Sequence, residues 1–375
     1  MDADSLKEEG ISLHLERKGI GFIHAPRVHP ESTEVARLPA WIRKVIDAWQ
    51  PISRISEDTV SLKSTKSHPS AGTAAEVEQR KFCLDYGSAT SDLTGNDADK
   101  DLDEATKFAL LDGAVCKQTR SLIRIVLKDD RLPITFVTGR IPSLGSLSGH
   151  GMARAESKIM TVDDASSVCL LWVDLFANMN PAMSSFADYL TRCPAAFLLH
   201  ETFAFVPRHF PGFEWIRPWM SAKRAAFIGL QHPSDNEIRF LEDNHIYYQT
   251  ADELASRGAE DSIGRALAVI NPRIDLPIHL VINFFALDWK LATINDSAVE
   301  QIDETVLGGG AILIQDALTT LDVVLKTGRL GAVDIVEVEQ IAPQDVNKAT
   351  EILTEMLRNI SAHIQSEGHH TSSSL

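Results

Sequence analysis

The sequence is short of cysteine, of long apolar runs and of positive charge, and each shortage excludes a class of protein. Its four cysteines, at positions 83, 116, 169 and 193, form no CxxC motif, which argues against a disulfide framework or a structural zinc site. No apolar run reaches the ~18 residues of a membrane span. Since 36 Lys and Arg face 52 Asp and Glu, the net charge is -16, and nucleic acid is excluded as a partner.

The two ends of the chain bear on its compartment. The first ten residues, MDADSLKEEG, are acidic and lack the apolar core of a signal peptide. We therefore expect a soluble cytoplasmic protein with no membrane partner. The alternative is a peroxisome-like organelle, because the final Ser373-Ser374-Leu375 loosely resembles the S-K-L signal without its basic middle residue.

Short β-branched apolar runs alternate with amphipathic segments along most of the chain. Runs that are apolar at nearly every position suit strands buried on both faces, and strand–helix alternation indicates parallel pairing. The pattern predicts a doubly wound α/β fold with eight parallel strands, at 20–24, 82–86, 134–137, 168–173, 226–230, 246–249, 278–284 and 332–338. The clearest helical segments are 33–48, 102–127, 260–270 and 311–326.

This pattern predicts one domain rather than two. We assign residues 1–18 to an N-terminal extension, 19–364 to a single α/β domain and 365–375 to a polar tail. Residues 53–78 are rich in Ser, Thr, Lys and Ala, which predicts an exposed or flexible insertion. In an open parallel sheet, ligands bind beyond the carboxyl ends of the strands. No Ser/His or Cys/His couple falls among those ends, so no catalytic residue is assigned.

Several motifs resemble the arginases. They are LGSLSGH at 144–150, FPGFEW at 210–215, SAK at 221–223, PIHL at 277–280, KTGRL at 326–330 and VDIVEV at 333–338. The resemblance extends from about residue 19 to residue 363, apart from the insertion. It implies a three-layer α/β/α fold, a homotrimer or dimer of trimers, and an amino-acid or guanidine ligand.

The resemblance fails at the metal-binding positions. Arginases hydrolyse a guanidinium with water activated by two Mn²⁺ ions, which two His and four Asp hold. The six matching positions here are Arg140, Asp174, Phe176, Asn178, Asn283 and Phe285. Only Asp174 keeps its carboxylate, and the remaining side chains cannot hold a hard divalent pair. We therefore expect no metal and no other cofactor.

Two structural expectations follow from these replacements. Phe176 and Phe285 should fill, as core aromatics, the volume that metals occupy in arginases. Arg140 should form an ion pair with Asp174, because the resemblance places both side chains around one metal position and a guanidinium matches a carboxylate bidentately.

The positions that contact substrate in arginases are partly kept. The resemblance assigns Asn180, Ser185, Glu237 and Glu337 to a substrate-like pocket, with Glu337 facing the guanidinium. We interpret the chain as an arginase-like pseudoenzyme with a binding or regulatory role. The alternatives are a structural or partner-modulating subunit and a residual ureohydrolase with altered chemistry.

Overall fold

The computed structural model describes residues 17–26, 38–48, 53–54, 83–89, 102–157, 168–177, 179, 194–206, 210–289 and 312–372. Within this part of the chain, the strands are β1 Gly19–Ala25, β2 Ser53–Arg54, β3 Cys83–Ser88, β4 Arg131–Val137, β5 Cys169–Val173, β6 Ala225–Leu230, β7 Tyr247–Thr250, β8 Ile278–Asn283 and β9 Leu330–Val336. The eight predicted strands are all present, most with ends that differ by one or two residues. The two-residue β2 is an addition at the start of the predicted insertion.

These strands form one sheet in the order β2-β3-β1-β4-β9-β8-β5-β6-β7. Every strand pair is parallel, including the central pairs β4–β9, β8–β9 and β5–β8. The α/β fold class with a parallel sheet is therefore confirmed. All carboxyl ends consequently lie along one edge of the sheet, and all amino ends lie along the other.

Helices connect the strands. They are α1 Ala40–Ala48, α2 Glu104–Lys128, α3 Ser143–Ser157, α4 Asp235–Asp243, α5 Ala251–Arg257, α6 Ala259–Ile270, α7 Ile314–Lys326 and α8 Val346–Ser372. Helix α8 continues to Ser372, so residues 365–372 of the predicted polar tail are helical. No helix in the described ranges is long and apolar enough to cross a membrane.

Side chains from the two faces of the sheet enter separate layers. In β5, Leu171 belongs to an apolar cluster with residues of α6, α7 and α8, whereas its neighbour Leu170 joins a second cluster that contains residues of α3. Successive strand residues point to opposite faces, so strands covered by helices on both sides must be apolar throughout. The result is the three-layer α/β/α arrangement.

Candidate functional site

Four polar side chains meet at the carboxyl ends of the central strands. Arg140 follows β4, Asp174 follows β5, Asn283 ends β8 and Glu337 follows β9. These strands are consecutive in the sheet, in the order β4-β9-β8-β5. Because neighbouring strands lie about 4.8 Å apart, residues that are distant in sequence come within hydrogen-bonding reach here. We call these four residues the ion-pair cluster.

The predicted ion pair between Arg140 and Asp174 is confirmed. Arg140 Nε donates to Asp174 Oδ2 at 2.9 Å, and its Nη2 donates to Oδ1 at 3.3 Å. The same Nη2 lies 2.9 Å from Glu337 Oε2. The side chains of Arg140, Asp174 and Glu337 are 11%, 1% and 12% exposed. One guanidinium therefore bridges two largely buried carboxylates.

Asp174 is held by neutral donors as well. Its Oδ1 accepts from the backbone N–H of Leu175 at 2.7 Å and from Asn283 Nδ2 at 2.9 Å, and its Oδ2 accepts from Trp172 Nε1 at 3.3 Å. A buried carboxylate is stable only when its oxygens are paired or hydrogen-bonded, and both oxygens of Asp174 are.

Asn283 links the two carboxylates. Its Nδ2 donates to Asp174 and also to Glu337 Oε2 at 2.8 Å, while its Oδ1 accepts from the backbone N–H of Phe285. The side chain is fully buried. Both ends of the amide are therefore used within the cluster, and its orientation is set by these bonds.

The electrostatics of the ion-pair cluster favour the charged form of Arg140 and disfavour the ionised form of Glu337. Burial raises the pKa of Glu337 to about 6; the Arg140 charge and the Asn283 hydrogen bond oppose this, and the Asp174 charge adds to it. Burial alone would lower the pKa of Arg140, but Asp174 and Glu337 outweigh it and raise that pKa above its ordinary value. Arg140 is therefore a permanent cation.

Two residues in the loops that follow β4 and β9 have a left-handed backbone conformation, and both lie at the ion-pair cluster. Gly139, with φ 69°, precedes Arg140, and its N–H donates to Glu339 Oε1 at 2.8 Å. Glu337 itself has φ 55° and begins a 3₁₀ turn. The sequence interpretation that placed Glu337 within a strand is thus wrong, because β9 ends at Val336. Glu339 was not among the predicted site residues, although the sequence Glu-Val-Glu places it two residues after Glu337 and could have indicated it.

Phe176 and Phe285 are not core residues. They are 49% and 44% exposed, so the expectation that they fill the metal volume is wrong. The Arg140 guanidinium carbon lies 5.3 Å from the centre of the Phe176 ring, within cation–π range. Arg140 itself lies between the strand ends, and both phenyl groups are partly exposed to solvent.

Three predicted positions, Asn178, Asn180 and Ser185, lie outside the described residues. Glu237 is on the first turn of α4, where its carboxylate accepts backbone hydrogen bonds from Ala177 and Ser234. Burial raises the pKa of Glu237 despite these bonds. The structure thus brings Glu237 to Ala177, which lies in the loop after β5, three residues after Asp174 in the sequence.

A Ser/His contact occurs at the strand ends, so the prediction that no such couple falls there is wrong. Ser88 Oγ lies 2.9 Å from His24 Nδ1 at the carboxyl ends of β3 and β1. Burial, aided by the charge of Arg43, lowers the pKa of His24 to about 4. Since an effective general base has a pKa near the working pH, this imidazole is a poor base toward Ser88 at neutral pH.

The donor set of the ion-pair cluster does not fit a binuclear manganese centre. Hard divalent ions need several carboxylate or imidazole ligands. Here a guanidinium lies between the carboxylates, and Asn283 presents its N–H groups rather than its oxygen to them. Among the described residues, no group of three or more His, Cys, Asp or Glu side chains is placed to hold a metal.

Comparison with known proteins agrees with this fold. The model of the Arginase family matches residues 63–361. The arginase of Glaciozyma antarctica is 24% identical over 271 residues, covering 72% of each chain, and human mitochondrial arginase-2 is 26% identical over 209 residues, covering 56% of this chain and 53% of its own. Because the family model spans most of the sequence, the chain belongs to the arginase family.

Solved structures show the same architecture. The cold-adapted Glaciozyma antarctica arginase superposes with a TM-score of 0.59 at 20% identity, covering 92% of this chain and 97% of its own. The Entamoeba histolytica arginase, solved with L-ornithine, gives a TM-score of 0.61 at 16% identity, covering 91% and 99%. At these identities, the likeness concerns the fold.

Proposed function

We propose that this chain is an arginase-family protein in which the ion-pair cluster replaces the metal cluster, and that it binds a ligand rather than hydrolysing arginine. The observation that carries the proposal is the Arg140 guanidinium bridging Asp174 and Glu337. A fixed cation there supplies part of the positive charge that bound metal ions would supply. It cannot supply the chemistry of a metal-bound water.

The chemical reason is the activation of water. A bound metal lowers the pKa of its water to about 7, which makes hydroxide available at neutral pH. Arg140 is a permanent cation and cannot accept a proton. Glu337, with a pKa of about 6, is engaged by Arg140 and Asn283. These groups stabilise negative charge, but they generate no nucleophile.

A binding role has support from Glu337 and Glu237. In the arginase resemblance these carboxylates face the guanidinium and the amino group of an amino acid, with Asn180 and Ser185 as further contacts. We propose an amino acid or guanidine as the ligand. Carboxylates suit the cationic ends of such molecules.

A structural or partner-modulating role is the second candidate. The observation that favours it is the pair of half-exposed phenyl groups, Phe176 and Phe285, next to the ion-pair cluster. Exposed aromatic side chains beside a charged site are typical of protein contact surfaces. In this case a protein rather than a small molecule would cover the ion-pair cluster.

We further propose that the protein is a cytoplasmic homotrimer or dimer of trimers. Membership of the arginase family supports the assembly, and the four widely spaced cysteines, which form no disulfide-type pattern, support an intracellular compartment. Light scattering at micromolar concentration tests the assembly, with a monomer as the contradicting result.

The functional proposal is tested in two steps. Purified protein incubated with arginine and Mn²⁺ should release no urea; urea release proportional to protein concentration would contradict the loss of arginase chemistry. Thermal shift with arginine, ornithine and agmatine then separates the two candidate roles. A saturable shift that disappears in Glu337→Gln supports ligand binding, whereas no shift with any of the three supports the partner-modulating role.

A further inference from the structure

A polar cleft, the basic cleft, lies at the edge of the sheet opposite the ion-pair cluster. It has a volume of about 370 Å³, and its charged lining residues are Arg17, Lys128, Asp130, Arg154 and Glu156. Arg17 precedes β1 and Asp130 precedes β4, so the cleft is at the amino ends of these strands. A seven-residue strand spans roughly 20 Å, which separates this basic cleft from the ion-pair cluster.

Positive charge exceeds negative charge in the basic cleft. Asp130 is engaged by Lys18 Nζ at 2.8 Å, and Glu156 is engaged by Arg124 and, at 3.8 Å, by Lys128. Arg17 and Arg154 add two further cations to the same small volume. In a chain with a net charge of -16, such a local excess of cations is not explained by composition.

Arg17, which lines this cleft, has an unsatisfied hydrogen-bond donor. Its Nε is buried and finds no hydrogen-bond acceptor among the described residues. Burial, together with the charge of Arg154, lowers the pKa of Arg17 to about 10, and Asp130 offsets this only in part. A buried donor without an acceptor costs free energy, so such a group calls for an explanation.

Helix ends account for part of this arrangement. Lys128 and Arg154 lie in the last turns of α2 and α3, where the helix dipole favours cations. Arg17 belongs to neither helix, and its position before β1 places a third cation against the same cleft. The helix dipoles therefore account for two of the three cations but not for Arg17.

We propose that the basic cleft binds a small phosphate-bearing anion, with Arg17 as the principal ligand and Lys128 and Arg154 as supporting cations. An arginine fork matches the oxygens of a phosphate bidentately, and a lysine contributes a point charge. The volume lies within the range of small-molecule sites. The ligand would fill a site separate from the ion-pair cluster and independent of the role proposed for it.

Isothermal titration of the full chain with inorganic phosphate tests the proposal, with ionic strength held constant by potassium chloride. The expected result is saturable binding to one site per chain, accompanied by a higher melting temperature. Arg17→Ala should weaken binding by about tenfold or more, which is the loss of one charge-assisted bond. Arg17→Lys, which keeps the charge and loses the fork, should weaken binding less.

Lys128→Ala provides an independent variant if Arg17→Ala does not fold, since Lys128 is largely exposed. It should also weaken phosphate binding. The matched control is Arg265→Ala, which removes an exposed arginine on α6 far from the cleft and should leave the affinity unchanged. Absence of saturable binding, or equal affinity in the Arg17, Lys128 and Arg265 variants, would overturn the proposal.

Discussion

Removing the guanidinium of Arg140 is the perturbation that the ion-pair cluster should tolerate least. Arg140→Ala leaves Asp174, 1% exposed, and Glu337, 12% exposed, as neighbouring carboxylates with no cation between them. Breaking a buried ion pair by removing one partner costs about 3–5 kcal/mol, because the remaining charge is left uncompensated. We expect a destabilisation of this size.

The expected shift of the melting temperature follows from chain length. An unfolding entropy of about 2.1 cal/mol/K per residue gives roughly 0.8 kcal/mol/K for 375 residues, so 3–5 kcal/mol lowers Tm by about 4–6 °C. The deficit should shrink toward pH 5. Arg140 opposes the effect of burial on the pKa of Glu337, so without Arg140 that pKa rises further in the folded state and protonation at lower pH restores stability.

Differential scanning calorimetry across pH 5–8 measures both effects. The matched control is Arg265→Ala, which removes an arginine from an exposed ion pair with Asp261 at 2.7 Å. Exposed ion pairs contribute little to the free energy of unfolding, so this variant should keep its Tm within about 1 °C of the parent. If Arg140→Ala shifts Tm no more than the control does, the reasoning about the buried cluster is refuted.

Three further predictions concern the neighbours of Arg140. The pKa of Glu337 is about 6, above the ordinary 4.5, so its protonation increases the stability of the folded state as pH falls from 7 to 5. The Tm of Glu337→Gln should not show this increase at low pH. A Tm–pH profile identical to that of the parent would contradict the prediction. Phe176→Ala should scarcely change the free energy of unfolding because the ring is half-exposed, whereas Phe284→Ala, at a fully buried ring, should lower it by about 3–5 kcal/mol. Equal losses of stability in urea denaturation would be inconsistent with the observed exposures. Asn283→Asp should destabilise the protein by adding a third carboxylate, and it should not create manganese binding while Arg140 remains; metal uptake in equilibrium dialysis would count against the donor-set argument.

The sheet was predictable because its strands are buried on both faces. An uninterrupted apolar run such as the one ending at Val173 leaves few alternatives to a central parallel strand. The Arg140–Asp174 pair was predicted from the arginase resemblance, which places both side chains around one metal position. The strand order then brings both residues to the same edge of the sheet.

Side-chain direction beyond the strand ends was not predictable in the same way. Phe176 and Phe285 are apolar, and hydrophobicity indicated burial, but Arg140 already fills the space between the strands. Glu337 has a left-handed backbone conformation, and because the residue is not a glycine the sequence does not indicate it. The contact between Ser88 and His24 depends on the pairing of β1 with β3, which alternation along the chain does not reveal.

The manganese content of the purified protein tests the central claim most directly. After dialysis against Mn²⁺ and removal of free ions, elemental analysis should find no stoichiometric metal, because Arg140 occupies the position between the carboxylates that coordination would require. A content of about two Mn per chain, as a binuclear centre requires, would contradict the account.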